Sequence, residues 1–146
     1  MYDKLYASLF EIVSLFNRPK QDKALVGRAG VSLDTALFPL LMRIAMLGPV
    51  GVVALSEQVD RDHSTVSRQV DKLIAQGLVA VHTDDTDRRI RLLVTTEHGQ
   101  AIVRQIAETR RLMMDEALRD WSDDDIAELA AVLCRLSETL QRYSTK

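Results

Sequence analysis

Between positions 64 and 91 the chain carries side chains suited to a patterned polyanion: Ser64, Thr65, Arg68, Gln69 and Lys72, then Arg88, Arg89 and Arg91. Val66, Val70 and Leu73 recur at helical spacing, so on a helix Ser64, Thr65, Arg68 and Lys72 fall on the opposite face. Short hydroxyls beside open amides at a helix N-terminus suit phosphate oxygens. One turn on, Arg68 has the reach and forked donors for a guanine edge, and Gln69 on the flank has the amide for adenine. Arg88, Arg89 and Arg91 would add cations for phosphates, or for the minor groove beside a major-groove helix. This is the chemistry of double-stranded DNA recognition, in which phosphate contacts position and base contacts specify.

Charge balance gives that reading no help. The chain of 146 residues has a net charge of −2, and between residues 60 and 91 six Lys/Arg are matched by six Asp/Glu. An ordinary solvated surface is therefore the competing reading. Placement favours DNA: the acids cluster in turns, whereas the outward helix start is hydroxyl and basic.

Other chemistry finds little footing. No nucleophile motif, phosphate-cradling glycine loop or catalytic carboxylate pair is present, so no enzymatic activity is expected. His63, His82 and His98 lack metal-ligand spacing, and Asp123-Asp124-Asp125 is better read as favourable charge at a helix N-terminus. Neither metal nor cofactor is expected. The single cysteine, Cys134, excludes an intramolecular disulfide and reads as a small buried or interface side chain in a reducing compartment. Met1-Tyr2-Asp3-Lys4 lacks a signal peptide's basic head, and no apolar run approaches the roughly 18 residues of a membrane span. The expectation is a cytoplasmic protein without a membrane partner. With 47% apolar and 27% charged residues, the chain is neither disordered nor fibrous.

The elements that must position these groups follow from periodicity. Residues 2–16 carry Leu5, Leu9, Ile12 and Phe16 at helical spacing, and Tyr2, Tyr6 and Val13 widen the apolar arc to roughly 160°. A buried core helix and a subunit interface both accommodate so wide a stripe. Glycine and proline breaks are expected at residues 27–30, 48–51 and 77. Between the first two, Ser32 would cap a helix with Leu33, Leu37, Leu40, Leu41, Ile44 and Leu47 inward, while Pro39 should kink it or displace its start. A short helix over residues 53–59 and a polar turn precede the helix over 64–76, opened by Asp62 or His63 and closed by Gly77. Residues 79–95 change to period two. Val79 and Val81, then Ile90, Leu92 and Val94, alternate around a charged loop, which predicts a β-hairpin. Thr96 would cap a helix reaching to about residue 120, with Ile102, Ile106 and Met113 inward. Ser122 and Asp125 form a capping pattern for a last helix. That helix carries Ile126, Leu129, Leu133, Leu136, Leu140 and Tyr143 in steps of 3 and 4, a heptad seam suited to dimerisation.

Helix, turn, helix and basic-tipped hairpin is the order of a winged helix-turn-helix. Here the resemblance becomes specific. Residues 33–99 resemble the MarR (multiple antibiotic resistance regulator) family through Leu47-Gly48-Pro49, Leu55-Ser56-Glu57-Gln58-Val59 and the run Ser64 through Leu73. The likeness continues in Gly77-Leu78-Val79, Asp84-Asp85-Thr86-Asp87-Arg88-Arg89 and Thr96-Glu97-His98-Gly99. The resemblance implies a homodimeric transcription factor, usually a repressor, on a pseudo-palindromic operator. It places Ser64, Thr65, Ser67, Arg68 and Gln69 among recognition-helix contacts, Arg88 and Arg89 in the wing, and Asp84 as the acid bracing it. Two departures stand out: Thr86 occupies the first arginine position of the wing pattern D-x-R-x-x-R, and Pro39 interrupts the helix that lines the family's ligand cleft.

The resulting expectation is a mainly α (α+β) single domain over residues 1–146. Its winged helix-turn-helix spans 33–99, with dimerisation helices in 1–32 and 100–146. The dimer interface would use Leu5, Leu9, Ile12, Leu129, Leu133, Leu136 and Leu140. A small aromatic or phenolic effector would sit near Met42, Arg43 and Met46, with Arg18 or Arg43 receiving its carboxylate, and would release the DNA. The rival reading is a protein-interaction winged helix without DNA binding, but such a module has no need of Arg68 on one reading element and Arg88 and Arg89 on the other.

Overall fold

The computed structural model describes residues 1–59 and 61–145. They form two compact units, Met1–Thr109 and a second beginning at Arg110. The first unit contains α1 (Tyr2–Phe16), α2 (Pro19–Ala29), a 3-10 turn (Thr35–Leu37), α3 (Phe38–Leu47), α4 (Val52–Val59) and α5 (His63–Ala75). It continues through β1 (Val79–Thr83) and β2 (Arg91–Thr95) into the first part of α6 (Glu97–Ala117). The second unit holds the rest of α6 and α7 (Asp123–Ser144). A mainly helical chain with one two-stranded antiparallel wing is the expected fold class.

Two features at the N-terminal side differ from the sequence expectation. Residues 27–30 are no break, because α2 runs through Gly27 and stops only at Gly30, whose φ of 67° needs no Cβ penalty. Pro19 in the first turn and glycine at the end are the usual asymmetry of helix termini. Ser32 caps nothing that begins there. Asp34 instead accepts from the Ala36 amide at 3.0 Å and opens the 3-10 turn. α3 then starts at Phe38 with Pro39 in its first turn, where the missing N–H is one no helix partner would have used. Pro39 displaces the start and makes no kink.

The core of the first unit gathers Leu37, Leu40, Leu41 and Ile44, Leu55 of α4, and Val66, Val70 and Leu73 of α5. Leu78, Val79, Leu93, Ile102 and Ile106 complete it from the wing root and α6. Leu33 is only half-buried and Leu47 is exposed, so α3 turns a narrower face inward than its apolar content suggests. At the end of α5, Gly77 adopts φ 72° and the Leu78 amide donates back to the Leu73 carbonyl at 3.0 Å. Leu78 is then locked against α6. The Thr96 hydroxyl donates to the Gly77 carbonyl at 2.6 Å and accepts from the Gly99 amide at 3.0 Å. A Cβ on Gly99 would lie 2.1 Å from the Leu78 carbonyl oxygen, so only glycine permits this approach.

β1 and β2 pair from Val79↔Thr95 to Thr83↔Arg91. The inward residue of β2 is Leu93, not the set Ile90, Leu92 and Val94: Ile90 is exposed and the other two are half-buried. The reason lies outside the hairpin. Val50, just before α4, bridges Leu93 through both backbone groups, at 3.1 and 2.8 Å, and turns the Leu93 side of the pleat to the core.

α1 buries none of its residues, which excludes a core helix within the chain. In the second unit, Ser122 accepts from the Asp125 amide at 3.1 Å and caps α7 as expected. α7 also buries nothing: Leu129, Leu133, Leu140 and Tyr143 are exposed, while Ile126 and Leu136 are half-buried. Cys134 is exposed rather than buried, its thiol 3.7 Å from a Glu138 carboxylate oxygen. Among the described residues no helix is long and apolar enough to cross a membrane.

Candidate nucleic-acid interface

α4, a turn and α5 form the helix-turn-helix, and burial of Val66, Val70 and Leu73 dictates which side of α5 looks outward. Ser64, Arg68 and Lys72 are exposed, and Thr65, Ser67 and Gln69 are half-buried on the flanks. Of the turn, Asp60 lies outside the described residues.

Asp62 organises the start of α5. Its carboxylate accepts the Thr65 amide at 3.1 Å, the Thr65 hydroxyl at 2.6 Å and the Ser64 hydroxyl. These bonds, led by the Ser64 and Thr65 hydroxyls, hold its carboxyl far below the usual carboxylate range. The expectation of open amides and available hydroxyl donors near Ser64 and Thr65 is therefore corrected. The Thr65 amide is capped, both hydroxyl protons point at Asp62, and a fixed negative charge stands where a phosphate was expected. Arg68 Nη2 lies 3.5 Å from Thr65 Oγ1, a long contact that steadies the guanidinium over the same cluster. Gln69 Oε1 accepts from Arg61 Nη1 at 2.8 Å across two helical turns.

The wing tip is built from two successive aspartate turns. Asp84 accepts the Thr86 amide at 2.8 Å and the Thr86 hydroxyl at 2.7 Å, bonds that lower its pKa. Asp87 then accepts the Arg89 amide at 3.0 Å and pairs with Arg89 Nε at 3.2 Å. Thr86 thus serves Asp84 where the resemblance led to an arginine, and the D-x-R spacing recurs one turn later at Asp87-Arg88-Arg89. Arg88, Arg89 and Arg91 are all exposed.

The structure so brings Ser64, Thr65, Arg68 and Gln69 around the turn residues Arg61 and Asp62, with the three wing arginines as a second group. Sequence reasoning missed Arg61, and Asp62 entered it only as a candidate helix start. The signal for Asp62 was present as an acid three residues before Thr65, but nothing local betrays the Arg61–Gln69 bond. On α3, Met42 is half-buried, while Arg43 and Met46 face outward. Leu5, Ile12, Leu129, Leu133 and Leu140 are exposed, and Leu9 and Leu136 half-buried. Among the described residues no group of three or more His, Cys, Asp or Glu could hold a metal.

Residues 34–90 match the MarR family. An uncharacterised HTH-type transcriptional regulator of Bacillus subtilis (strain 168), YxaD, is 27% identical over 107 residues, spanning 73% of this chain and 75% of that protein. A MarR family protein from Bacillus stearothermophilus shares the fold with a TM-score of 0.79 and 21% identity, over 97% of this chain and 99% of its own. Streptococcus pneumoniae FabT, solved in complex with DNA, gives a TM-score of 0.69 at 19% identity, over 98% of this chain and 99% of its own.

Proposed function

From the match of residues 34–90 to the MarR family we propose that the protein is a transcriptional regulator of that kind, which binds a double-stranded operator as a homodimer and represses transcription. One observation carries the reading. α5 buries Val66, Val70 and Leu73 and leaves Ser64, Arg68 and Lys72 exposed, and the hairpin that follows shows Arg88, Arg89 and Arg91 to solvent. A reading helix and a cationic wing together suit a major groove and the adjoining phosphates or minor groove. FabT, of the same fold and solved with DNA, supports the assignment. The dimer is supported by two helices, α1 and α7, that bury none of their residues although both carry long apolar stripes.

The test is enrichment of duplexes from a randomised pool by the purified full chain, followed by anisotropy titration of the winners. A pseudo-palindromic motif is expected, with an affinity that falls as salt rises. Enrichment of nothing over random sequence would overturn the reading.

The effector is part of the same proposal. Half-buried Met42 beside outward Arg43 and Met46 offers soft apolar surface and a cation, a combination suited to an aromatic anion. A ligand acts only through its different affinity for the free and DNA-bound forms, so a coupling of roughly 1–3 kcal/mol is expected. Titrating the protein–DNA complex with phenolic acids, beside Met42→Trp as a blocked control, tests this. Identical responses from the two proteins would reject the site.

A further inference from the structure

The side chains of α5 do not reach outward as free donors and acceptors; the turn before the helix has already set their polarity. Asp62 takes the protons of both the Ser64 and the Thr65 hydroxyl. What remains outward on each oxygen is lone-pair density. Independently, Arg61 Nη1 occupies Gln69 Oε1 at 2.8 Å, in a partly buried contact, and leaves the Gln69 amino group as the free end. Arg68, a pure donor, stands beside Thr65 Oγ1.

We propose that Arg61 and Asp62 are positioning residues that set the base preference of α5: Ser64 and Thr65 accept from an exocyclic amino group in the major groove, and Gln69 donates to a base acceptor. The inference rests on the DNA reading of α5. In the major groove the amino donors are adenine N6 and cytosine N4, whereas guanine O6 and N7 and thymine O4 accept. A hydroxyl pair with its protons held away discriminates between these classes, which a freely rotating hydroxyl does not. The carboxylate behind them also repels phosphate, so these two hydroxyls face bases and make no backbone contact. For Gln69 the consequence is the reverse of the simple expectation. The bidentate adenine contact needs its carbonyl and amino ends in one aligned plane, and Arg61 holds one lone pair of the carbonyl and so fixes the amide's direction towards the turn.

The measurement is the binding motif of the full chain selected from randomised duplexes, repeated for variants of the turn. Asp62→Asn still caps a helix but offers one acceptor oxygen in place of two, so it releases a hydroxyl without abolishing α5. Arg61→Met frees the Gln69 carbonyl, and Arg61→Lys is the conservative rescue. Wild type should require an amino-bearing base at one half-site position. It should lose about fivefold or more in affinity when that adenine or cytosine is replaced by its analogue lacking the amino group. Which of the two analogues hurts identifies the base. Asp62→Asn should reduce that loss, Ser64→Ala with Thr65→Val should abolish it at an unchanged salt slope, and Arg61→Met should admit adenine at a second position. Circular dichroism and thermal melting of each variant separate these effects from unfolding. Selection of the same motif, with the same sensitivity to the missing amino group, by wild type, Asp62→Asn and Arg61→Met would overturn the inference and leave the DNA reading standing. A shallower salt slope for the hydroxyl variants would overturn it too. Failure of wild type to select any motif would overturn both.

Discussion

Arg68 and Arg88 are both exposed guanidiniums, yet their surroundings assign them different work. Arg68 is steadied beside Thr65 on the outward face of α5, whereas Arg88 is the middle residue of the Asp87–Arg89 turn on the wing. Arg68→Ala should therefore lose about 1–3 kcal/mol of discrimination between the selected site and random DNA. Arg88→Ala should weaken all duplexes alike and reduce the salt slope by about one. Competition titrations at several salt concentrations separate the two, and an unchanged specificity ratio for Arg68→Ala would remove α5 as the reading helix. Asp62 yields a pH prediction. Its folded pKa lies below the ordinary 3.8 because the Ser64 and Thr65 hydroxyls and the Thr65 amide bind the anion. The unfolded chain then takes up this proton first as pH drops, so the stabilisation is complete above 3.8 and drains away towards the lower folded value. Melting curves should show wild type above Asp62→Asn at neutral pH, with the gap closing in acid. A gap independent of pH would mean that the carboxylate charge contributes nothing.

At the scale of elements, the wing is aimed by a backbone bridge and one side chain. Leu93 is 2% exposed and its backbone is clasped by Val50, whereas Leu92 next to it is half-buried on the other side of the pleat. Leu93→Ala should cost about 2–5 kcal/mol by urea unfolding, and Leu92→Ala clearly less, because only the first leaves a cavity in packed surroundings. Equal losses would reject the register. The same clasp ties the wing root to the segment before α4, while Thr96 and Gly99 tie the end of α5 to α6. α5 and the hairpin are thus held from one core.

For the molecule as a whole, the exposed apolar surfaces of α1 and α7 decide what must come next. Tyr6 is 74% and Phe10 66% exposed on α1, and Leu140 51% and Tyr143 78% on α7. Such surface is costly in water, and the proposed dimer would cover it with a second copy. Replacing Leu133 and Leu136 by glutamate should give monomers or insoluble chains in sedimentation, and a soluble dimer would reject the proposed interface. The same variant should lose cooperative binding, since paired reading heads must reach half-sites about 34–36 Å apart on the duplex.

Most of the winged-helix layout was legible in residue order. Val66, Val70 and Leu73 oriented α5, Gly77 ended it, Ser122 opened α7, and period two announced a hairpin. These are local signals, carried by side-chain period and by backbone needs within a turn or two. α2 escaped because its polar content gave a weak apolar stripe, and its Gly27 and Gly30 read together as a break, whereas only Gly30 ends the helix. The wing's inward face escaped because Leu92, Leu93 and Val94 are all apolar, so either pleat side satisfied the pattern until Val50 chose one. Residue types showed that α5 carries hydroxyls, an amide and cations. Which of those groups donate and which accept was decided only when the folded turn brought Arg61 to Gln69 and Asp62 to Ser64 and Thr65, because hydrogen-bond polarity depends on partners and not on residue identity.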